Sequence, residues 1–149
     1  MKIFKILLIL IILIIIYVIY SNNTVNNNIG LENNKFKKLK DSPNGVSTQS
    51  NFKDKYVEPI KYNKDLNIVK KYIKENIKKI GNVKLIEEKD KYMHFIFISN
   101  FFHFKDDFEI YFDRNKNLIH IKSQSRVGYS DLGVNKERYE KFKKLLLNL

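Results

Sequence analysis

Hydrophobic positions are distributed very differently at the two ends of this chain. Residues 6–20 form an unbroken apolar run, and the run reaches back to residue 3 with a single interruption at Lys5. Eighteen helical residues measure about 27 Å, close to the bilayer's hydrocarbon core of about 30 Å. The pattern therefore predicts an N-terminal transmembrane helix over residues 1–20.

The residues that flank this run indicate whether it is cleaved and how it is oriented in the membrane. It ends in Tyr and Asn rather than in the small residues of a signal-peptidase site, which favours an uncleaved signal anchor over a cleaved signal or a soluble core helix. Lys2 and Lys5 precede the run, and the next positive residue is Lys35. The positive-inside rule then predicts a single-pass protein with a cytoplasmic N-terminus and an extracytoplasmic, periplasmic-type domain. Secretion after signal cleavage is the alternative.

The polar stretch that follows the run differs in composition from the rest of the chain. Residues 21–40 are rich in Asn and Lys and contain few large apolar side chains, a composition that does not build a core. We expect a flexible tether there, holding a single domain at 41–149 close to the membrane.

Periodicity within the domain changes from helical to extended and back. Apolar residues recur at spacings of three and four from 66 to 80, between Asp65 as a cap and Gly81 as a terminator. Strand-like runs follow at 83–87, 91–99, 107–113 and 118–125. A last amphipathic helix begins with Asn135 as its N-cap. We expect an α+β fold in which two helices pack on one face of an antiparallel sheet of about four to five strands.

Arginine usage singles out one segment. The chain has 28 Lys and Arg residues, but Arg occurs only at positions 114, 126 and 138. Two of these, and two of the five glycines, fall within residues 123–138. Lysine cannot reproduce the planar, bidentate pairing of a guanidinium, so Arg at these positions indicates a specific structural or binding role.

The same segment carries a family resemblance. The pattern Ser125-Arg126-x-Gly128-x-Ser130-Asp131-x-Gly133-x-Asn135-x-x-Arg138 resembles the signature of domain-of-unknown-function family 1499 (DUF 1499). Asp-Asp-Phe-Glu at 106–109 and Ser-Pro-Asn-Gly-Val-Ser-Thr at 42–48 resemble two further elements of that family, so the likeness covers roughly residues 41–148. Gly45 stands where the family usually has Cys, so no role of that thiol carries over. The resemblance implies kinship but no biochemical activity.

These motif residues are expected to meet at one end of the sheet. A hairpin across residues 114–117 would bring the Asp106-Asp107 pair close to Arg126. Arg138 shares the inward side of the last helix and needs an acidic partner, for which Asp106, Asp107 and Asp131 are candidates. The candidate binding or structural network comprises Asp106, Asp107, Arg126, Gly128, Tyr129, Ser130, Asp131, Gly133, Asn135 and Arg138.

Three roles for this network compete. It can be a salt-bridged clasp that locks the last helix to the sheet, a polar pocket for an anionic or polar ligand, or a catalytic site. Adjacent strand residues point to opposite faces, so Asp106 and Asp107 would form a poor acid–base pair. We therefore favour a binding or interaction module of unknown activity. The alternative is a cell-envelope enzyme that uses an Arg/Asp-lined pocket.

The remaining features point to no other chemistry. The net charge is +12, but the lysines are scattered and no nucleic-acid motif is present, which leaves compositional drift or attraction of Lys35–Lys40 to anionic lipid as explanations.

His94, His103 and His120 lack metal-ligand spacing and are read as ordinary strand or loop histidines. No cofactor motif or catalytic triad is visible. The aromatic residues 101–104 indicate either core packing or a surface contact with lipid or a partner.

Overall fold

The chain folds around one antiparallel sheet, and the computed structural model describes residues 2–149. The helices are α1 (Lys2–Asn23), α2 (Leu66–Asn76) and α3 (Val134–Leu146). The strands are β1 (Leu31–Glu32), β2 (Lys35–Phe36), β3 (Gly45–Ser47), β4 (Ile60–Lys61), β5 (Val83–Lys89), β6 (Tyr92–Ile98), β7 (Lys105–Asp113) and β8 (Leu118–Ser125).

Six of these strands build the main sheet in the order β3-β8-β7-β6-β5, with β4 also pairing to β8. This confirms the α+β antiparallel fold expected from the sequence. The strand count exceeds the expected four to five because β3 and β4 are only three and two residues long. Segments this short cannot display the alternation by which a strand is recognised. The pair β1–β2 forms a separate two-stranded ribbon.

Both domain helices pack on the same face of the sheet, as predicted. Val69 and Ile73 of α2 and Tyr139 and Phe142 of α3 join the buried side chains of the central strands in one core. On β7 this face carries the apolar residues Phe108, Ile110 and Phe112, which are fully buried. The alternation of β7 is what directs these side chains toward the helices.

The ends of the two domain helices differ from the sequence prediction. α2 stops at Asn76, and a 3₁₀ turn from Ile77 to Ile80 completes the segment before Gly81. α3 begins at Val134 rather than after Asn135, and Gly133 occupies the N-cap position with φ 86°. The cap prediction for Asn135 was wrong because Asp131, four residues earlier, supplies the acceptor oxygens (below).

The N-terminal helix stands apart from this core. α1 has 22 residues, a mean hydropathy of 3.1 in its most apolar window and no buried side chain, so by length and composition it could cross a membrane. Its last turn reaches the domain. Asn22 hydrogen-bonds His103 in the connection between β6 and β7, and it hydrogen-bonds Lys105 at the start of β7.

Residues 24–40, here called the strap, lie against the sheet face that the helices leave uncovered. The Gly30 amide donates to Glu109 Oε1 at 2.7 Å, Asn28 exchanges two side-chain hydrogen bonds with Gln124, and Leu39 is buried. The structure thus differs from the flexible tether predicted for residues 21–40. Composition revealed the lack of apolar side chains, but it could not reveal that Asn side chains would satisfy buried polar groups of the sheet.

Candidate functional site

The motif segment connects β8 to α3, and its first arginine lies beneath the strap. Arg126 donates from Nε and Nη2 to the two carboxylate oxygens of Asp107 at 2.9 and 2.8 Å. His94 Nε2 lies 2.8 Å from the same carboxylate, and all three side chains are buried. Burial alone would raise the pKa of Asp107, but the hydrogen bonds from His94 and Arg126 outweigh it and hold that pKa below its usual range.

The second arginine lies on the opposite, helix-covered face. Arg138 reaches back from α3 to Asp106 Oδ2 at 2.6 Å and to Asn135 Oδ1 at 2.5 Å. Its guanidinium also lies over the Phe97 ring, 4.7 Å from the centroid. The contacts fix the first turns of α3 against the ends of β6 and β7.

The hairpin prediction is confirmed, but the charges do not converge on one pocket. Asp106 is opposite Ser125 and Asp107 is opposite Gln124 in the β7–β8 register. Adjacent residues of a strand face opposite ways, so the ion pairs Arg126–Asp107 and Arg138–Asp106 lie on different faces of the sheet. We call these two ion pairs the clasp.

Asp131 is not an arginine partner, contrary to one of the expectations. Its Oδ1 accepts from the Gly133 amide at 3.0 Å and its Oδ2 accepts from the Asn135 amide at 2.9 Å. It therefore caps α3, where a negative charge is also favoured by the helix dipole. Gly128 and Gly133 have positive φ values of 93° and 86°, which glycine adopts without steric cost.

Asn135 is the polar centre of the helix-covered side. Its buried side-chain amide donates to Ser125 Oγ at 3.0 Å and to the backbone carbonyl of Asn44 at 3.1 Å. Its carbonyl oxygen accepts from Ser123 Oγ at 2.5 Å. One side chain thus joins α3, β8 and the segment before β3, and it does so from the first turn of α3 rather than from the N-cap position.

The upstream motif at 42–48 joins the same arrangement. Asn44 donates from its side chain to the Gly128 carbonyl at 2.9 Å, and its own carbonyl accepts from the Ser125 amide. A Cβ added to Gly45 would lie 2.6 Å from the Ser123 carbonyl oxygen, closer than real contacts allow. Glycine at this position therefore lets β3 approach β8 closely.

A second buried network lies under the strap and was missed by the sequence reasoning. Lys122 Nζ and Glu109 Oε2 are 2.9 Å apart, and both side chains are fully buried. Glu109 Oε1 also accepts from the Tyr92 hydroxyl at 2.7 Å, and Lys122 donates to the Asn28 carbonyl. Burial lowers the pKa of Lys122 although Glu109 opposes the shift, and burial raises the pKa of Tyr92.

The sequence contained a signal for this network. Glu109 and Lys122 are directly opposed in the register that the predicted hairpin imposes, and opposite charges at such positions attract. Neither residue was predicted to form an ion pair, and His94 was interpreted as an ordinary strand or loop histidine. The strap covers the sheet face that carries Glu109 and Lys122. Because water is excluded there, the attraction between the two charges is strong.

What remains exposed in the motif is a short loop. Residues 127–133, here called the tip loop, present Tyr129 with 78% and Leu132 with 94% of their surface accessible. Leu132 has a left-handed backbone with φ 54°. The loop is held by hydrogen bonds from the Leu132 amide to Ser130 Oγ at 3.2 Å and from the Asp131 amide to the Pro43 carbonyl at 3.4 Å.

Two clefts adjoin the motif. One of about 330 Å³ lies beside the tip loop and is lined by residues that include Pro43, Val46, Lys55 and Lys136. The other, of about 240 Å³, is bordered by Arg138 and Asp106. In that cleft the guanidinium and the carboxylate are bonded to each other. Among residues 2–149, no three His, Cys, Asp or Glu side chains are grouped so as to hold a metal ion.

Together, the fold and the site define an α+β domain whose signature residues form internal ion pairs, caps and turns around one exposed loop. The family model for the protein of unknown function DUF1499 matches residues 35–146, and the chain belongs to this family. The match begins within the strap rather than at residue 41. No curated protein and no solved structure was found to match the chain.

Proposed function

We propose that this protein is a membrane-anchored binding module. In this proposal α1 spans the bilayer with its N-terminus in the cytoplasm, the domain lies on the extracytoplasmic side, and the tip loop binds a protein partner of the cell envelope. The observation that carries the proposal is the strained, exposed conformation of Leu132.

A leucine in the left-handed region costs about 1–2 kcal/mol relative to a right-handed one. Here the conformation has φ 54° and leaves 94% of an apolar side chain in solvent, so the domain gains no core packing from it. Strain of this kind persists where the surroundings impose it, and it is concentrated at functional sites. An apolar side chain displayed at such a cost supports contact with a partner.

The neighbouring surface supports a protein partner rather than a bare ion. The cleft of about 330 Å³ beside the tip loop combines apolar walls from Pro43 and Val46 with charged residues of both signs, Asp131 and Lys136 among them. Tyr129, largely exposed on the same loop, is a residue type enriched at the centres of protein interfaces. An apolar side chain flanked by polar groups on the partner would fit this combination.

The clasp argues for binding over catalysis. Arg126 directs two donors to Asp107, Arg138 pairs with Asp106, and the two carboxylates lie on opposite faces of the sheet. An enzyme working from an Arg/Asp-lined pocket would need at least one of these groups to reach a substrate. Their mutual bonds instead support a structural role that positions the tip loop.

The replacement Leu132→Gly tests this proposal because it changes stability and binding in opposite directions. Glycine accepts the left-handed backbone, so we expect the free energy of unfolding to rise by about 0.5–1 kcal/mol. Binding would be read in native membranes from a photo-crosslinking side chain at position 129 of the full chain. We expect a discrete adduct that Leu132→Gly weakens severalfold. The same probe at Asn115, in the β7–β8 turn, serves as the control. A more stable variant with undiminished crosslinking would contradict the proposal.

Orientation needs its own experiment. Reporters that are active only in the cytoplasm or only outside it would be fused after Leu149. The proposal expects activity from the extracytoplasmic reporter, with the protein resisting alkaline extraction from membranes. Activity confined to the cytoplasmic reporter would overturn the outward topology.

A further inference from the structure

The connection between β6 and β7 exposes aromatic side chains beside the end of α1. We propose that residues 100–104 of this connection, here called the aromatic loop, insert into the interfacial zone of the bilayer that α1 spans. The inference rests on the proposed membrane anchor. It adds a second membrane contact, which holds the domain against the bilayer surface.

The aromatic loop has a contiguous apolar surface that the fold does not use. Phe101 and Phe102 are 82% and 67% exposed, and Phe104 is also exposed. Their rings contact one another, with centroids 4.8 Å apart between the first two and 5.4 Å apart between Phe102 and Phe104. Three neighbouring phenyl rings in water form a patch of the kind that marks an interaction surface.

The loop is tied to the point where α1 would leave the membrane. Asn22 donates from Nδ2 to the His103 carbonyl at 3.0 Å and accepts at Oδ1 from the Lys105 amide at 2.8 Å. Lys105 Nζ also donates to Asn23 Oδ1 at 2.6 Å. The apolar run of α1 ends at Tyr20, so Asn22 lies only about 3 Å further along the helix axis.

The position of the aromatic loop beside the end of α1 indicates that its partner is the lipid bilayer. A loop hydrogen-bonded to residue 22 of a spanning helix lies at the level of the lipid headgroups, where aromatic rings are enriched. Ser99 and Phe104 close the loop through two hydrogen bonds of 2.9 Å, so its rings are presented on a short, constrained turn. Lys105, at the base of the loop, adds a positive charge suited to headgroup phosphates.

The tip loop lies at the same end of the sheet as the aromatic loop. The Arg126 amide donates to the Lys105 carbonyl at 3.1 Å, so β8 ends beside the start of β7. The tip loop and the aromatic loop therefore leave the same end of the sheet. With the aromatic loop in the interface, the tip loop would face partners at or in the membrane surface.

Depth-dependent fluorescence quenching tests the inference, because the chain contains no tryptophan. The full chain carrying Phe102→Trp would be reconstituted in phosphatidylcholine vesicles that contain lipids brominated at different depths. We expect blue-shifted emission and severalfold stronger quenching by shallow bromines than for Asn115→Trp. That control site is at the far end of β7, about 30 Å away along the nine-residue strand.

A third variant separates the two proposals. Ile12→Trp, in the middle of α1, reports the anchor and should be quenched best by deep bromines. If Ile12→Trp is quenched but Phe102→Trp behaves like Asn115→Trp, the aromatic loop is not inserted and the anchor stands. If Ile12→Trp is not quenched, the anchor is wrong and the inference falls with it. Matching melting temperatures of the three variants would establish that each is folded.

Discussion

At the scale of single residues, the most consequential contact is the buried pair of Arg126 and Asp107. The two hydrogen bonds are parallel and charge-assisted, the kind of bond that contributes most in a protein interior. Lysine at position 126 would keep the charge but offer a single ammonium in place of the planar fork. The identity of the residue, and not only its charge, therefore matters for stability.

We expect Arg126→Lys to lower the free energy of unfolding by about 1.5–3 kcal/mol, the range for lost hydrogen bonds to charged groups. Urea denaturation would measure it. Arg114→Lys is the matched control, because the pair of Arg114 with Asp90 is exposed and such pairs contribute less than about 1 kcal/mol. Equal effects of the two replacements would argue against a structural clasp, and an unchanged Arg126→Lys protein would revive the ligand-pocket interpretation.

The same carboxylate makes stability depend on pH. Asp107 has a pKa below its usual range in the folded protein, whereas an unfolded aspartate titrates near about 3.9. Above that value the carboxylate is charged in both states, and its ion pair contributes fully. As the pH falls further, the unfolded chain binds the proton first, so this contribution is progressively lost toward the lower folded-state pKa.

Asp107→Asn should therefore be most destabilising at neutral pH. We expect a loss of about 3–5 kcal/mol there, because Arg126 stays buried without its counter-charge. The difference from the unaltered protein should shrink as the pH drops below about 4. Urea titrations at neutral and acidic pH would follow it. A difference that stays constant across this range would show that Asp107 is not the group responsible.

At the scale of elements, the strap changes the character of the sheet. Without it, one face of β6, β7 and β8 would be a charged surface in water. With it, Glu109 and Lys122 are fully buried and bonded to backbone groups of Gly30 and Asn28. An interior charge pair is costly to break because the remaining ion keeps its desolvation penalty.

This burial predicts non-additive mutations at Glu109 and Lys122. Lys122→Met should cost about 3–5 kcal/mol, since it leaves Glu109 buried without a counter-charge. Adding Glu109→Gln to Lys122→Met removes the orphan charge and should recover a large part of the loss. Thermal and urea denaturation of both single variants and the double variant would give the coupling energy. Purely additive effects would mean that the strap leaves this face open to water.

At the scale of the whole molecule, the strap also defines where the domain begins. Truncation before Ser21 removes most of α1 and keeps every strap contact with the sheet. Truncation before Asp41, the boundary expected from the sequence, removes Leu39 and the hydrogen bonds from Asn28 and Gly30. The two fragments therefore differ in whether the second face of the sheet is covered.

We expect the chain starting at Ser21 to fold cooperatively and the chain starting at Asp41 to lose more than about 2 kcal/mol. Burial of Leu39 alone is worth about 1.5–3 kcal/mol, and each lost hydrogen bond adds to it. Circular dichroism during urea unfolding would compare the fragments. Equal midpoints would restore the tether interpretation of residues 21–40.

The sequence by itself determined the parts of this protein that depend on local periodicity. It predicted the apolar helix, the amphipathic α2 and α3, the strand β8 with its bounds at 118 and 125, and the hairpin that brings Asp107 close to Arg126. Alternation and helical spacing are properties of neighbouring residues, so they can be read without knowing the fold. The family signature was likewise visible in the residue order.

Only the tertiary structure decided what those residues do. It paired Arg126 with Asp107 and Arg138 with Asp106, and it made Asp131 a helix cap instead of an arginine partner. It also placed Asn135 in the buried interior. Above all, it folded the strap over a charged face and buried Glu109 and Lys122 there as an ion pair. Burial depends on which distant segments meet, and a charge changes from solvated to strongly paired only when such a segment excludes water from it.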